Sequence, residues 1–358
     1  MKPPNLDAMS HGLAVEFLRS LRSRNGVDPE IDEALRLAED RLCREETDSP
    51  FLTVLLRTQG LRLEPLRDAL LCLEAQSDDD FTVVLLVHSN DDSAIAAVEH
   101  IVTRLEPSFG ARVHVAVVRE GLRGAPLNVG LEQSTSRYVA IFDDDDLLLG
   151  DWVEAFRQAA SEHPGRALRA QTANMAVQPA TWPQGQAGVV GMSWPRAEYP
   201  REFDLHDHLV VNQSPFMSWA FPRMLFSKMG VRFDESLEVC EDWDMVLTAA
   251  SICGVADIDR LTSIYRRWET GSSSYTAHSR DAWNASELRV RQRFDAQPLV
   301  FPAGSVERSR RLVSLADLAF RYRLLFSANH LRQPLEMMWR SASPVIHLAA
   351  RVYRRLKR

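Results

Sequence analysis

Long apolar runs are missing from this chain. No stretch of its 358 residues approaches the roughly 20 consecutive apolar residues of a membrane-spanning helix, which excludes a helical membrane protein. The N-terminus lacks the charged start, apolar stretch and small-residue cleavage site of a secretory signal, so the expected location is the cytoplasm. Cysteine is scarce: Cys43, Cys72, Cys240 and Cys253 are widely spaced, and none pairs with a neighbouring histidine in a zinc-ligand pattern. Reduced, mostly buried thiols are expected. Net positive charge is missing as well, and a formal charge of -7 argues against nucleic acid as the main partner. There is no internal repeat and no low-complexity segment.

What is present is the balance of a globular protein, 45% hydrophobic and 25% charged, enough for a sizeable core in one large or two small domains. Helical patterning over residues 11–24 and 28–44, separated by Asn25-Gly26, predicts an N-terminal helical extension over residues 1–50. From Phe51 the pattern changes to strand 51–56, helix 64–75, strand 81–87, helix 93–105 and strand 113–118. That alternation reads as a parallel doubly wound sheet. Strand character returns at 138–142, and a helix is expected over 151–162. Between Gln184 and Pro215 the periodicity weakens among many Pro, Gly, Trp and His residues, as in a substrate-shaped loop region. Two helical segments are expected to flank Cys240-Glu241-Asp242-Trp243-Asp244 within 222–254, with a short strand over 263–267. These limits place the main domain at 51–282 and a helical C-terminal region at 283–358.

The strand Tyr138 to Phe142 runs straight into Asp143-Asp144-Asp145-Asp146. Burying one unpartnered carboxylate costs several kcal/mol, and four adjacent ones repel one another, so a bound cation is one explanation. Oxygen donors at this density suit a hard ion such as Mg2+ or Mn2+. A solvated acidic turn capping the next helix is the other.

Several pieces, taken in order, resemble glycosyltransferase family two, whose members have the GT-A fold, a Rossmann-like and mostly parallel α/β sheet flanked by helices. They are Arg57-Thr58, the strand 81–87, Leu127-Asn128-Val129-Gly130, Tyr138 to Asp146, Glu241-Asp242-Trp243-Asp244 and Tyr265-Arg266-Arg267, together covering roughly residues 51 to 270. The resemblance implies an inverting, metal-dependent transfer of a sugar from a nucleotide-diphosphate sugar to a saccharide or lipid-linked acceptor, as in bacterial surface polysaccharide or glycolipid assembly. It implies that Asp143 and Asp145 bind the metal and donor, with Asp144 and Asp146 flanking, and that Asp242 is the base. It further implies donor contacts from Arg57, Thr58, Arg123, Asn128, Asp143 and Asp144, and acceptor contacts from Glu241, Trp243 and Trp219. A cation would neutralise the departing diphosphate, and a carboxylate on the opposite face would take the acceptor's proton.

Each piece also has a plainer reading. Glu241 and Asp242 fit the first turn of a helix, where acids complement the dipole. Arg57 fits a paired surface arginine, Asn128 a backbone pin, and the tryptophans Trp182, Trp194, Trp219 and Trp243 either core packing or stacking on sugar faces. His206 and His208 are expected in an ordinary polar loop. The sequence departs from the family at Val87-His88-Ser89-Asn90, where an acidic pair is common, at Leu127, where an arginine is common, and at Trp268, where a histidine is common. Competing functions are a haloacid-dehalogenase-type phosphohydrolase, a sugar nucleotidylyltransferase and a non-catalytic nucleotide-sugar-binding module. The first lacks a downstream lysine and Gly-Asp pair. The second lacks a glycine-rich basic signature at Thr58-Gln59-Gly60-Leu61-Arg62.

From Arg321 to Arg358 nine basic residues stand against the single acid Glu336. With Trp339 and aliphatic residues interspersed, the segment fits either a packed amphipathic helix or a peripheral contact with an anionic membrane.

Overall fold

In the computed structural model, the described residues are 12–44, 49–183, 185–269 and 278–327. They belong to two compact units, Met1–Phe301 and Pro302–Arg358. The second contributes one described helix, and the basic segment beyond it, with its expected amphipathic or membrane-facing role, lies outside the described residues. No described helix is long and apolar enough to cross a membrane.

The first unit opens with α1 (Leu13–Arg22) and α2 (Pro29–Cys43). Asp28 caps α2 by accepting from the Glu30 and Ile31 N–H groups, and Pro29 supplies a preset φ at the first helical position. Arg22 and Arg19 of α1 share Glu39 of α2, which holds the two helices together.

The sheet then begins with β1 (Leu52–Thr58), α3 (Leu63–Glu74), β2 (Phe81–His88), α4 (Asp92–Val102), a one-turn α5 (Pro107–Gly110), β3 (Val113–Val118), α6 (Gly124–Gln133) and β4 (Tyr138–Asp143). β3, β2, β1 and β4 lie side by side and all pair in parallel. Every residue of β1 is buried, as expected of a strand covered on both faces. Alternation sorts the side chains. Leu52, Val54 and Leu56 join Phe81, Val83, Tyr138, Ala140 and Phe142 under α3 and α4, whereas Leu55, Leu86, Val139 and Ile141 face α6 and a later helix, Glu241–Cys253. Each of these large side chains contributes about 1.5–3 kcal/mol through burial.

After β4 come β5 (Leu147–Leu148), α7 (Trp152–Glu162), β6 (Ala167–Thr181), β7 (Ala187–Gly191), a one-turn α8 (Leu205–His208), β8 (Trp219–Pro222), a one-turn α9 (Met224–Ser227), α10 (Glu241–Cys253), β9 (Val255–Trp268) and α11 (Arg280–Asp295). Antiparallel β8 links β4 to β6, and β6 runs parallel to β9. The sheet is therefore mixed beyond β4, with order β3-β2-β1-β4-β8-β6-β9-β5. The doubly wound expectation describes its first half. The second unit's helix is α12 (Ser305–Ser327).

Three expectations are corrected here. The weakly patterned stretch contains β7, which pairs back onto β6, and α8, and is not loop throughout. The acidic cluster at 240–244 is not flanked by the second helix but begins it, because α10 starts at Glu241 itself, and the helix before it, α9, is a single turn. The strand expected at 263–267 is the end of the 14-residue β9.

Candidate active site

Parallel register puts Arg57 at the carboxyl end of β1 beside Asp143 at the end of β4. Ligands of open α/β sheets sit at this edge. Arg57 grips its neighbour with two nitrogens, Nε to Oδ1 at 2.8 Å and Nη2 to Oδ2 at 3.1 Å. Its third nitrogen, Nη1, donates to Glu241 Oε1 at 2.9 Å, and Arg123 Nε donates to the same oxygen at 2.7 Å. Glu241 is 3% exposed and Arg57 8%. Burial alone would raise the Glu241 carboxyl, but Arg123 and Arg57 beside it bring it down to about 2.

Asp242 follows at the mouth of α10. Cys240 just before it has φ 68°, and it is the only non-glycine residue with positive φ among the described ones. That left-handed turn, which costs a residue with a Cβ about 1–2 kcal/mol, swings the first turn of α10 toward the sheet edge. Asp242 accepts from the Trp243 N–H at 2.7 Å and from Asn212 Nδ2 at 2.9 Å. Burial, with the Glu241 charge beside it, pushes the Asp242 carboxyl up to about 6. A carboxylate poised there is suited to accept a proton near neutral pH.

The aspartate run fans out. Asp144 turns inward to accept from Thr58 Oγ1 at 2.5 Å and Arg62 Nη2 at 3.0 Å, and burial with the Asp145 charge pushes its carboxyl up to about 7. Asp145 accepts from Arg62 Nη1 at 2.6 Å and Trp268 Nε1 at 3.0 Å, with the Arg62 guanidinium over the Trp268 ring. Asp146 accepts from the Arg266 N–H at 2.8 Å, while burial and Asp145 push its carboxyl well above the usual range.

One cleft of about 350 Å³ is lined by Arg57, Arg123, Asp143, Asp145, Glu241, Asp242 and Trp243. Its walls also include Tyr199, Asn212, Tyr265 and Arg291. Seven of the residues expected at the site thus converge. Thr58 and Asp144 lie just beneath, bonded to each other. Asn128 stands elsewhere: its amide donates to the Phe233 carbonyl at 3.1 Å and to Glu235, and its carbonyl accepts from the Phe233 N–H. It pins the approach to α10 from behind. Gly130 is explained the same way, since a Cβ there would stand 2.8 Å from Leu55 Cδ2, so only glycine lets α6 lie this close to β1. Trp219 also stands elsewhere, fully buried and stacked on Phe221 with ring centroids 5.9 Å apart. β8 turns that ring into the core, and Phe216 and Met217 just before it reach the cleft instead. His208 is buried and bonded to Ser214 Oγ at 3.0 Å, and burial lowers it to about 4.

Asp143 and Asp145 offer the hard oxygens that a divalent ion prefers, with donor oxygens and water left to complete its shell. Among the described residues no three His, Cys, Asp or Glu side chains gather into a set that could hold a metal ion. Arg62 already holds the Asp145 oxygen, so a cation would compete with its guanidinium. An ion pair whose arginine side chain is 30% exposed contributes about 1 kcal/mol, so Arg62→Ala should tighten Mn2+ binding roughly fivefold. Mn2+ titration followed by electron paramagnetic resonance checks this; unchanged or weaker binding would rule out the competition.

Residues 62–226 match the family model described as Glycosyl transferase family 2. The likeness to family 2 glycosyltransferases lies in that stretch, a little under half of the chain. The matched stretch contains Arg62, Arg123, Asn128 and the aspartate run, and leaves Arg57, Thr58 and Asp242 outside it. No curated protein matches the chain. Among solved structures, S. aureus TarS 1-349 in complex with UDP-GlcNAc is similar over 65% of this chain and 64% of its own, at 18% identity and TM-score 0.49. S. aureus TarS 1-349 in complex with UDP is similar over 67% and 64%, at 18% identity and TM-score 0.47. The chain therefore spans just under two thirds of these structures.

Sequence reasoning missed Arg62, which pairs with Asp144 and Asp145, and Asn212 and Arg291, which line the cleft. Arg62 stood within a segment weighed only for its missing glycines. Asn212 lies in the stretch with the weakest periodicity, and nothing local marks it.

Proposed function

We propose that the domain moves a sugar from a nucleotide-diphosphate sugar to an acceptor hydroxyl with inversion at the anomeric carbon. The observation that carries the reading is the shared cleft: Asp143, Asp145 and Asp242 all line it, beside the Arg57–Glu241 pair. Arg57 and Arg123 supply positive charge where a diphosphate would gather negative charge. Asp143 and Asp145 would hold a divalent ion, which when bound supplies Lewis-acid neutralisation of the leaving group. Asp242 accepts the acceptor's proton as its oxygen attacks the anomeric carbon, and the carbon–oxygen bond to the diphosphate breaks. Tyr199 offers aromatic surface for the C–H faces of a saccharide acceptor or of the sugar part of a lipid-linked one, whereas the expected acceptor contact Trp243 is 2% exposed and packs behind the wall of the cleft.

The test is turnover of UDP-, GDP- and dTDP-sugars with Mn2+ or Mg2+, using water and p-nitrophenyl glycosides as acceptors and measuring released nucleoside diphosphate. Release from at least one donor, with the product anomer inverted by NMR, is expected. Tight nucleotide-sugar binding without release under any of these conditions would leave a binding module in its place.

A further inference from the structure

Within the proposed activity, we infer that Asn212 is the positioning residue of the base, holding the Asp242 carboxylate in one orientation across the cleft. Asn212 comes from the loop between α8 and β8, 30 residues before its partner in sequence. Its amide works at both ends. Nδ2 donates to Asp242 Oδ2 at 2.9 Å, and Oδ1 accepts from the Ser214 N–H at 3.1 Å.

The loop itself is anchored in the core. Ser214 Oγ accepts from Arg169 Nε at 2.9 Å and meets His208 Nε2 at 3.0 Å. Arg169 is 1% exposed, and it also donates to the Arg201 carbonyl at 3.2 Å and to Asp257 at 2.7 Å. Trp243 Nε1 donates to the His208 carbonyl at 2.6 Å, tying the same loop to α10 one residue past Asp242. A buried arginine therefore fixes Ser214, Ser214 fixes the Asn212 side chain, and Asn212 fixes the carboxylate. Supports of this kind are what keep a reacting group near its productive geometry.

The other charged and titratable groups around Asp242 in the cleft are Glu241 and Cys240 on its own segment, Arg57 from β1, Arg123 just before α6, Asp143, Asp145 and Asp146 at the end of β4, Tyr199 from the loop before α8, Tyr265, Arg266 and Arg267 from β9, and Glu287 and Arg291 from α11. Neither substitution below alters any of these. Asn212 donates to the charged form of Asp242, so losing that donor raises the carboxyl's pKa and moves the acid limb of the rate profile to higher pH.

Two variants separate positioning from loop structure. Asn212→Asp keeps an oxygen for the Ser214 N–H but turns the donor toward Asp242 into a second carboxylate; Asn212→Ala removes both contacts. With UDP-GlcNAc, or whichever donor the wild type turns over, and released diphosphate as readout, kcat should fall about 10- to 100-fold in both. The donor KM should stay within about threefold, and the acid limb should move up, further for Asp than for Ala. A variant Asn212→Asp with wild-type kcat and pH profile, beside a damaged Asn212→Ala, would make Asn212 a loop residue and overturn the inference. If the wild type turns over through Asp242 and both variants match it, only the role of Asn212 falls. If the wild type turns over no donor, the proposed activity falls and takes this role with it.

Discussion

Replacing Asp242 by asparagine will lower kcat by about 10²- to 10⁴-fold, the range lost with a general base, while leaving nucleotide-sugar affinity nearly unchanged. Asparagine keeps the size and an oxygen for the Trp243 N–H, so the wall of the cleft stays as it is and only the proton acceptor is gone. The wild-type rate should rise with pH through about 6, where the Asp242 carboxyl ionises, and that limb should vanish in the variant. Stability gives a second readout with the opposite sign. The folded-state pKa of Asp242 lies above the ordinary 3.8, so its charge disfavours the fold above about pH 6, and this cost is relieved as pH falls from about 6 to 3.8. Asp242→Asn removes the charge, and its Tm at pH 8 should equal or exceed that of the wild type. Calorimetric donor binding together with stopped assays of diphosphate release decides the matter. Equal turnover by the variant would remove Asp242 as the base.

The largest structural effect is expected at the neighbouring position. Glu241→Gln leaves the buried Arg57 and the half-buried Arg123 without their shared anion. Removing one partner of a buried charge pair typically costs 3–5 kcal/mol, and urea unfolding should show a loss of about that size. The pH dependence carries its own signature. The folded-state pKa of Glu241 is lowered from 4.5 to about 2, so its contribution is complete above about pH 4.5 and is lost as pH falls toward 2. The wild type should lose stability through that window, and the variant should lose less. In the proposed activity donor binding should weaken as well, because Arg57 and Arg123 lose the shared anion that holds them together at the cleft. A variant as stable as the wild type at pH 7 would mean that the brace contributes nothing.

The first half of the sheet was legible from its residues because β1, β2 and β4 are covered on both faces and read as largely apolar runs, broken inside only by Thr53 and Thr82 before their polar ends. The second half was not. β6 carries Arg169, Gln171 and Thr172 in buried positions, and β9 carries Asp257, Asp259 and Arg260, so neither shows an apolar run or a clean alternation. Their extended form comes from pairing with each other along most of their length, a long-range fact that no local window contains.

The site divides the same way. The acid-tipped strand and the Glu241-Asp242 pair announce themselves, because carboxylates beside apolar sequence demand partners. Which partner each one has is another matter, since Arg57 reaches Glu241 across 184 residues and Arg62 reaches Asp145 across 83. Trp219 shows the limit for aromatics: composition marks a tryptophan near the cleft, but only the direction of the short β8 decides that its ring enters the core. Asn128-Val129-Gly130 shows it for motifs, since both marked residues serve packing behind the site.

The reach of Arg57 also bears on when this protein becomes competent. One guanidinium joins the first strand of the sheet to the fourth and to the helix that begins at Glu241. A chain emerging from the ribosome can complete the first four strands and still offer Arg57 nothing but Asp143. The Arg57–Glu241 brace is therefore a property of the finished topology, and a nascent or clipped polypeptide ending before residue 241 would carry the acidic turn without it.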